Sequence, residues 1–110
     1  MTASDHVTTE GVIPFRGYRT WYRIVGERSG LEKPPVLLVH GGSGIPSDCL
    51  APVSALAASG RPVVFYDQLG CGNSDRPDDP TLWTIDLFLD ELATVRNALG
   101  LDCLHLLGFS

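Results

Sequence analysis

Leu104-His105-Leu106-Leu107-Gly108-Phe109-Ser110 carries a short, mainly apolar run directly into a Gly-x-Ser turn. An apolar run of this length is what a strand covered on both faces of a parallel sheet requires. Gly108-Phe109-Ser110 is the first half of Gly-x-Ser-x-Gly, the sharp strand-to-helix turn that lifts a serine above a sheet. That turn holds its serine in a strained backbone conformation, so the residues two positions away must be small. Gly108 meets the demand on the near side. A bare Gly-x-Ser is common by chance, so its weight depends on what precedes it.

Two further runs of the same kind precede it, Val36 to Val39 and Val63 to Tyr66. The stretch between them offers a helix after Ser47 and Asp48, with Leu50, Val53, Leu56 and Ala57 at helical spacing and an end before Gly60. A stronger helix separates the last two runs. Ile85, Phe88, Leu89, Leu92, Val95 and Leu99 form its expected apolar stripe, Asp86, Asp90 and Glu91 sit early, and Gly100 closes it. Further upstream, two extended runs between about Thr9 and Val25 break at Arg16 and Gly17, the pattern of an antiparallel hairpin. In its second arm Arg19, Trp21, Arg23 and Val25 share one face, and Tyr18, Thr20, Tyr22 and Ile24 share the other. A loop over residues 26–35, rich in Gly, Ser and Pro, separates the hairpin from the first apolar run.

The order is therefore a hairpin followed by strand, helix, strand, helix, strand. Such alternation predicts an α/β fold, with right-handed crossovers and a mostly parallel sheet carrying helices on both faces. The final strand would lie at an open edge, which is a liability for a buried parallel strand. Residues 1–110 are thus expected to be the N-terminal part of a single core domain, incomplete without a C-terminal part.

Composition narrows the function. The hydrophobic fraction of 44% and charged fraction of 19% are those of an ordinary soluble globular protein. Eight Lys and Arg against a net charge of -5 supply no basic footprint, which argues against nucleic acid and against anionic membranes as partners. The polar start from Met1 to Glu10 lacks the basic and apolar regions of a signal peptide, and no apolar run is long enough to span a bilayer. Cys49, Cys71 and Cys103 are odd in number and far apart, without a CxxC pair, so neither a disulfide framework nor a zinc site is expected. A reducing cytoplasm is the simplest home, and neither a metal nor a cofactor is expected.

Two loops at the carboxyl ends of the expected strands give the serine its context, because active sites of open α/β folds gather there. His40-Gly41-Gly42-Ser43-Gly44 follows the first parallel strand. Adjacent glycines let backbone N–H groups turn toward a developing oxyanion, which acyl transfer requires, and Gly42 is the candidate donor. A phosphate site fits less well, since neither Gly-Lys-Ser/Thr nor GxGxxG is present. Tyr66-Asp67-Gln68-Leu69-Gly70-Cys71-Gly72-Asn73-Ser74 follows the second strand. Asp67 is read as a structural acceptor for backbone N–H groups of its own loop, because the triad acid of a Gly-x-Ser-x-Gly fold follows the serine in chain order. Cys71 is read as a small packing residue. His40 and His105 are read as structural, hydrogen-bonded residues, and His6 lies in a polar tail, so no histidine here is assigned as a catalytic base.

Together the glycine run, the Tyr-Asp-Gln-x-Gly-Cys-Gly-x-Ser stretch and Leu106-Leu107-Gly108-Phe109-Ser110 resemble the proline iminopeptidase (prolyl aminopeptidase) family of α/β-hydrolases. The resemblance runs from about Pro14 to Ser110. It implies an α/β-hydrolase fold in which Ser110 is the nucleophile, the Gly42 N–H helps form the oxyanion hole, and an Asp and a His from later in the polypeptide complete the triad. It also implies a cap domain that holds the free α-amino group of the substrate through acidic residues. The expected substrate is a small peptide, amino acid amide or other aminoacyl compound, cleaved through an acyl-enzyme. Ser43 stands where the family commonly has proline, which restores a backbone N–H and freedom in φ to the loop and bears on substrate preference. Esterase or thioesterase activity on the same machinery, and ligand binding without catalysis, are the competing expectations.

Overall fold

A computed structural model describes residues 8–26, 34–40, 61–101 and 103–108. The hairpin is present as β1 (Thr8–Phe15) and β2 (Tyr18–Val25). Phe15 pairs with Tyr18, so the loop is two residues long. Arg16 and Gly17 both take positive φ, at 52° and 83°, which is the left-handed pair whose twist matches that of the flanking strands.

The apolar runs form β3 (Val36–Val39) and β4 (Val63–Tyr66), and the last strand is β5 (His105–Gly108). β5 begins and ends one residue later than the apolar run suggests, because its ladder is set by pairing with β3, from Val36 opposite His105 to Val39 opposite Gly108. The sheet order is β1-β2-β4-β3-β5. β3 is parallel to both β4 and β5, while β2 joins β4 antiparallel, so the hairpin extends a parallel centre. The helix expected over residues 48–59 lies outside the described residues.

Helix α1 (Ile85–Ala98) connects β4 to β5 after a single 3₁₀ turn at Pro80–Leu82. The Thr84 hydroxyl accepts from the Leu87 N–H at 3.1 Å and caps the first turn. At the other end Gly100, with φ of 67°, donates to the Asn97 carbonyl, and Leu101 N–H donates to the Arg96 carbonyl at 3.0 Å. This pair of bonds is the Schellman stop that glycine favours.

The helix buries only part of the apolar stripe that the sequence suggests: Val95 and Leu99 are buried, and Phe88 and Leu92 are half-buried. Leu87, Glu91 and Val95 are its buried residues, spaced four apart, whereas Ile85 and Leu89 are 78% and 57% exposed. The packing face is rotated toward Leu87, and a carboxylate occupies its centre because it finds hydrogen-bond donors there. On this side of the sheet Val95, Leu99 and Leu101 pack with Ile13, Ile24, Leu37, Val64 and Tyr66. Val36, Leu38, Val63 and Phe65 form the core of the opposite face. Side chains of this kind stabilise by about 1.5–3 kcal/mol each when fully buried, so the two clusters anchor the carboxyl ends of β3 and β4 firmly.

Among the described residues β5 lies at the edge of the sheet, paired only with β3. Every residue of β5 is exposed, Leu106 at 56%. Beside it, Leu37, Leu104 and Leu106 face Leu89, Leu92 and Ala93 of α1 across an apolar groove of about 260 Å³.

Candidate functional site

β3, β4 and β5 run parallel, so the loops that follow them leave the same end of the sheet. Val39 is in register with Gly108, and these strands therefore end at one level. In the sequence Gly42 and Ser110 follow His40 and Gly108 by two residues. Both candidate site residues lie outside the described residues. What the structure does describe is the set of side chains that fixes the backbone leading to them.

His40 closes β3 and is buried. Its Nε2 accepts from the Gln68 N–H at 2.9 Å, and its carbonyl accepts from Gln68 Nε2 at 2.9 Å. An Nε2 that accepts has its lone pair engaged, so His40 ties two loops together instead of waiting for a substrate proton. That agrees with the structural role read from the sequence. The His105 side chain, by contrast, is exposed on β5, and the hydrogen bond described there comes from its backbone N–H to the Pro35 carbonyl at 2.9 Å.

Asp67 is buried at the start of the loop after β4. Its Oδ2 accepts from the Asn73 N–H at 2.9 Å, and its carbonyl accepts a short hydrogen bond from the Ser74 hydroxyl. The Ser74 oxygen in turn accepts from the Trp21 N–H at 2.8 Å. A carboxylate bonded to the backbone of its own loop is a clamp, as the sequence suggests. Gly70 and Gly72 supply the positive φ angles, 86° and 51°, that let the loop fold back. A Cβ on Gly70 would meet the Trp83 ring at 3.0 Å, so the indole is packed directly on this turn. Cys71 is buried, in keeping with packing. The far end of the loop is held by Asp75, which accepts from the Arg19 N–H at 2.8 Å and from its guanidinium at 3.1 Å. Arg19 holds the Asp75 carboxyl below the usual range, chiefly through that side-chain hydrogen bond.

Sequence reasoning missed Glu91. Its carboxylate is fully buried on α1, where Oε2 accepts from the Thr20 hydroxyl at 2.7 Å and from the Leu69 N–H at 3.0 Å. Burial pushes its carboxyl above the ordinary carboxylate range, against the pull of these two bonds. The neighbouring Tyr66 phenol is pushed up by burial first and by the Glu91 charge second. Glu91 lies four residues from both Leu87 and Val95 and so shares their face, but the donors that make it a buried acceptor are 71 and 22 residues away in sequence.

Among the described residues no group of three or more His, Cys, Asp and Glu side chains is arranged to hold a metal, and no helix is long and apolar enough to cross a membrane.

Comparison with known proteins agrees with this layout. A family model described as alpha/beta hydrolase fold matches residues 34–110. A proline iminopeptidase of Clostridioides difficile (strain 630) is 49% identical over 102 residues, covering 93% of this chain and 34% of that protein. The crystal structure of a proline iminopeptidase from Mycobacterium smegmatis superposes with a TM-score of 0.78 at 38% identity, covering 91% of this chain and 35% of that one. A thioesterase domain from the curacin biosynthetic pathway superposes with a TM-score of 0.79 at 28% identity, over 94% of this chain and 37% of that one. The chain spans about a third of the length of the curated relatives it matches.

Proposed function

Because this chain belongs to the alpha/beta hydrolase family, we propose that it forms the leading part of the single core domain of a serine hydrolase that cleaves the amide bond of an N-terminal aminoacyl group. The observation that carries the reading is the 49% identity to a proline iminopeptidase across 93% of the chain. The described geometry supports it, since β3 and β5 end in register and their following segments contain Gly42 and Ser110.

In this reading Ser110 Oγ attacks the substrate carbonyl carbon. Its proton passes to a histidine supplied by the rest of the polypeptide, which returns it to the departing amine as the C–N bond breaks. The Gly42 N–H stabilises the oxyanion, together with the N–H of the residue after the serine. Water then hydrolyses the acyl-enzyme. The partner aspartate of the histidine, and the residues that hold the substrate's free amino group, also belong to the rest of the polypeptide. No cofactor enters the scheme, and a reducing cytoplasm suits a sequence with three widely spaced cysteines and no CxxC pair.

The test uses the intact polypeptide. Prolyl, alanyl and other aminoacyl arylamides are offered beside simple acyl esters and thioesters, and Ser110 is probed with a fluorophosphonate. Turnover of the arylamides, labelling at Ser110 and loss of both in Ser110→Ala are the expected results. Loss of one triad member removes several orders of magnitude in kcat, about 10⁴- to 10⁶-fold. Hydrolysis confined to esters or thioesters would favour the second reading, suggested by the similarity to a thioesterase domain. An unlabelled Ser110 would leave only ligand binding.

A further inference from the structure

A carboxylate fully buried on a helix is expensive to keep, and is retained where its partners hold something in place. Glu91 joins three elements. Oε2 accepts from Thr20 on β2 at 2.7 Å and from the Leu69 N–H, in the loop after β4, at 3.0 Å; Oε1 lies 3.3 Å from the same N–H. Leu69 is covalently next to Gln68, and Gln68 makes both bonds to His40, one to the ring and one to the carbonyl. His40 is in turn the residue before Gly41 and Gly42.

The two bonds from Gln68 have different effects. The bond to Nε2 fixes where the imidazole lies, and the bond to the carbonyl fixes the direction in which the chain leaves β3. Without Glu91 the Leu69 N–H would lose its buried acceptor, and a loop with one orphaned donor would shift to find another. Gln68 would move with it, and the carbonyl of His40 would lose its fixed direction.

We infer that Glu91 is a positioning residue for the hydrolysis proposed above, acting through Leu69, Gln68 and His40 on the backbone that leads into the Gly41–Gly42 segment. It touches no reacting atom. The inference rests on the reading of Gly42 as an oxyanion donor, and it adds a distinct requirement: disturbing Glu91 lowers the rate of the chemical step more than it weakens substrate binding. Glutamine at this position keeps the one oxygen that accepts from both Thr20 and Leu69, so the conservative change is tolerated.

The experiment compares wild type, Glu91→Gln, Glu91→Leu and Gln68→Ala in the intact polypeptide, each assayed well below its own melting temperature. Two rates are read: turnover of the preferred substrate, split into kcat and KM, and phosphonylation of Ser110 by a fluorophosphonate. Misplacing a catalytic donor by a fraction of its working distance costs about 10- to 100-fold in rate. Glu91→Leu and Gln68→Ala are expected to lose that much in kcat and in labelling rate, with KM changed by less than about threefold, while Glu91→Gln stays within about threefold of wild type. A folded Glu91→Leu that labels at the wild-type rate overturns the inference. If that variant does not fold, a Gln68→Ala protein labelling at the wild-type rate overturns it instead, because the connection runs through Gln68. Failure of wild type itself to label is a different result and counts against the proposed function.

Discussion

Glu91 enters the interior as a titratable group, and its titration should be visible in the stability of the protein. Burial raises its carboxyl above the ordinary range in the folded state. The unfolded chain therefore gives up this proton at lower pH than the native protein does. Between the ordinary and the raised value the native state binds more protons, so stability falls as pH rises through that window. The contribution is full below the ordinary carboxylate range and is lost above the raised value. Glu91→Gln should flatten this part of the pH–stability curve, as read by urea unfolding of the intact protein at a series of pH values from 4 upward. An unchanged slope in the variant would show that another group is responsible. Asp75 contributes with the opposite sign, since Arg19 lowers its carboxyl and its contribution is lost as pH falls. Of these residues only some were legible in the sequence. Asp67 could be read because its glycine loop surrounds it, and its partner Asn73 is six residues away. Glu91 could not, because Thr20 lies 71 residues away, and an acidic residue among apolar ones looks like the solvent side of a helix until its donors are known.

At the scale of the element, helix α1 separates what local chemistry encodes from what packing decides. Its ends were legible. Thr84 before the helix and Gly100 after it satisfy the backbone groups that every helix leaves open, and they do so with their immediate neighbours. Thr84→Ala should therefore cost about 1 kcal/mol of stability through the lost bond to the Leu87 N–H, and the loss should recover largely with Ser or Asp at the same site. Equal stability of the alanine variant would mean that the first turn is held by packing of Leu87 alone. The buried face was not legible in the same way. Counting apolar residues put Ile85 and Leu89 on one stripe with Val95, whereas the buried face keeps Val95 and takes Leu87 and Glu91 in place of the other two. Periodicity shows that a helix is amphipathic, but two adjacent faces of α1 are apolar enough to compete. Which one turns inward was settled by the donors offered by β2 and the loop after β4. The same distinction explains β5, whose apolar run was plain and whose limits moved by one residue because the β3 ladder sets them.

For the whole molecule, the sheet order puts β5 at an edge with β3 on its inner side, and leaves its other side open among the described residues. Leu106 is 56% exposed and Leu89 on the adjoining helix 57%, and both line the groove, so the edge and the groove beside it form one surface. An exposed strand edge flanked by apolar side chains is a template for pairing with another chain. The polypeptide of residues 1–110, expressed alone, should therefore self-associate with increasing concentration, and it should lack a sharp cooperative melt. Each large apolar side chain removed from water contributes about 1.5–3 kcal/mol, so covering Leu106 and Leu89 adds to the backbone pairing that the open edge offers. A charge at the edge opposes it, because pairing would bury that charge without a partner. Leu106→Lys should thus lower the apparent mass in sedimentation velocity at a fixed concentration. A monomeric wild-type segment with a cooperative melt would show instead that β5 needs no cover, and that the core built by Leu37, Val64, Tyr66 and Val95 suffices to fold it alone.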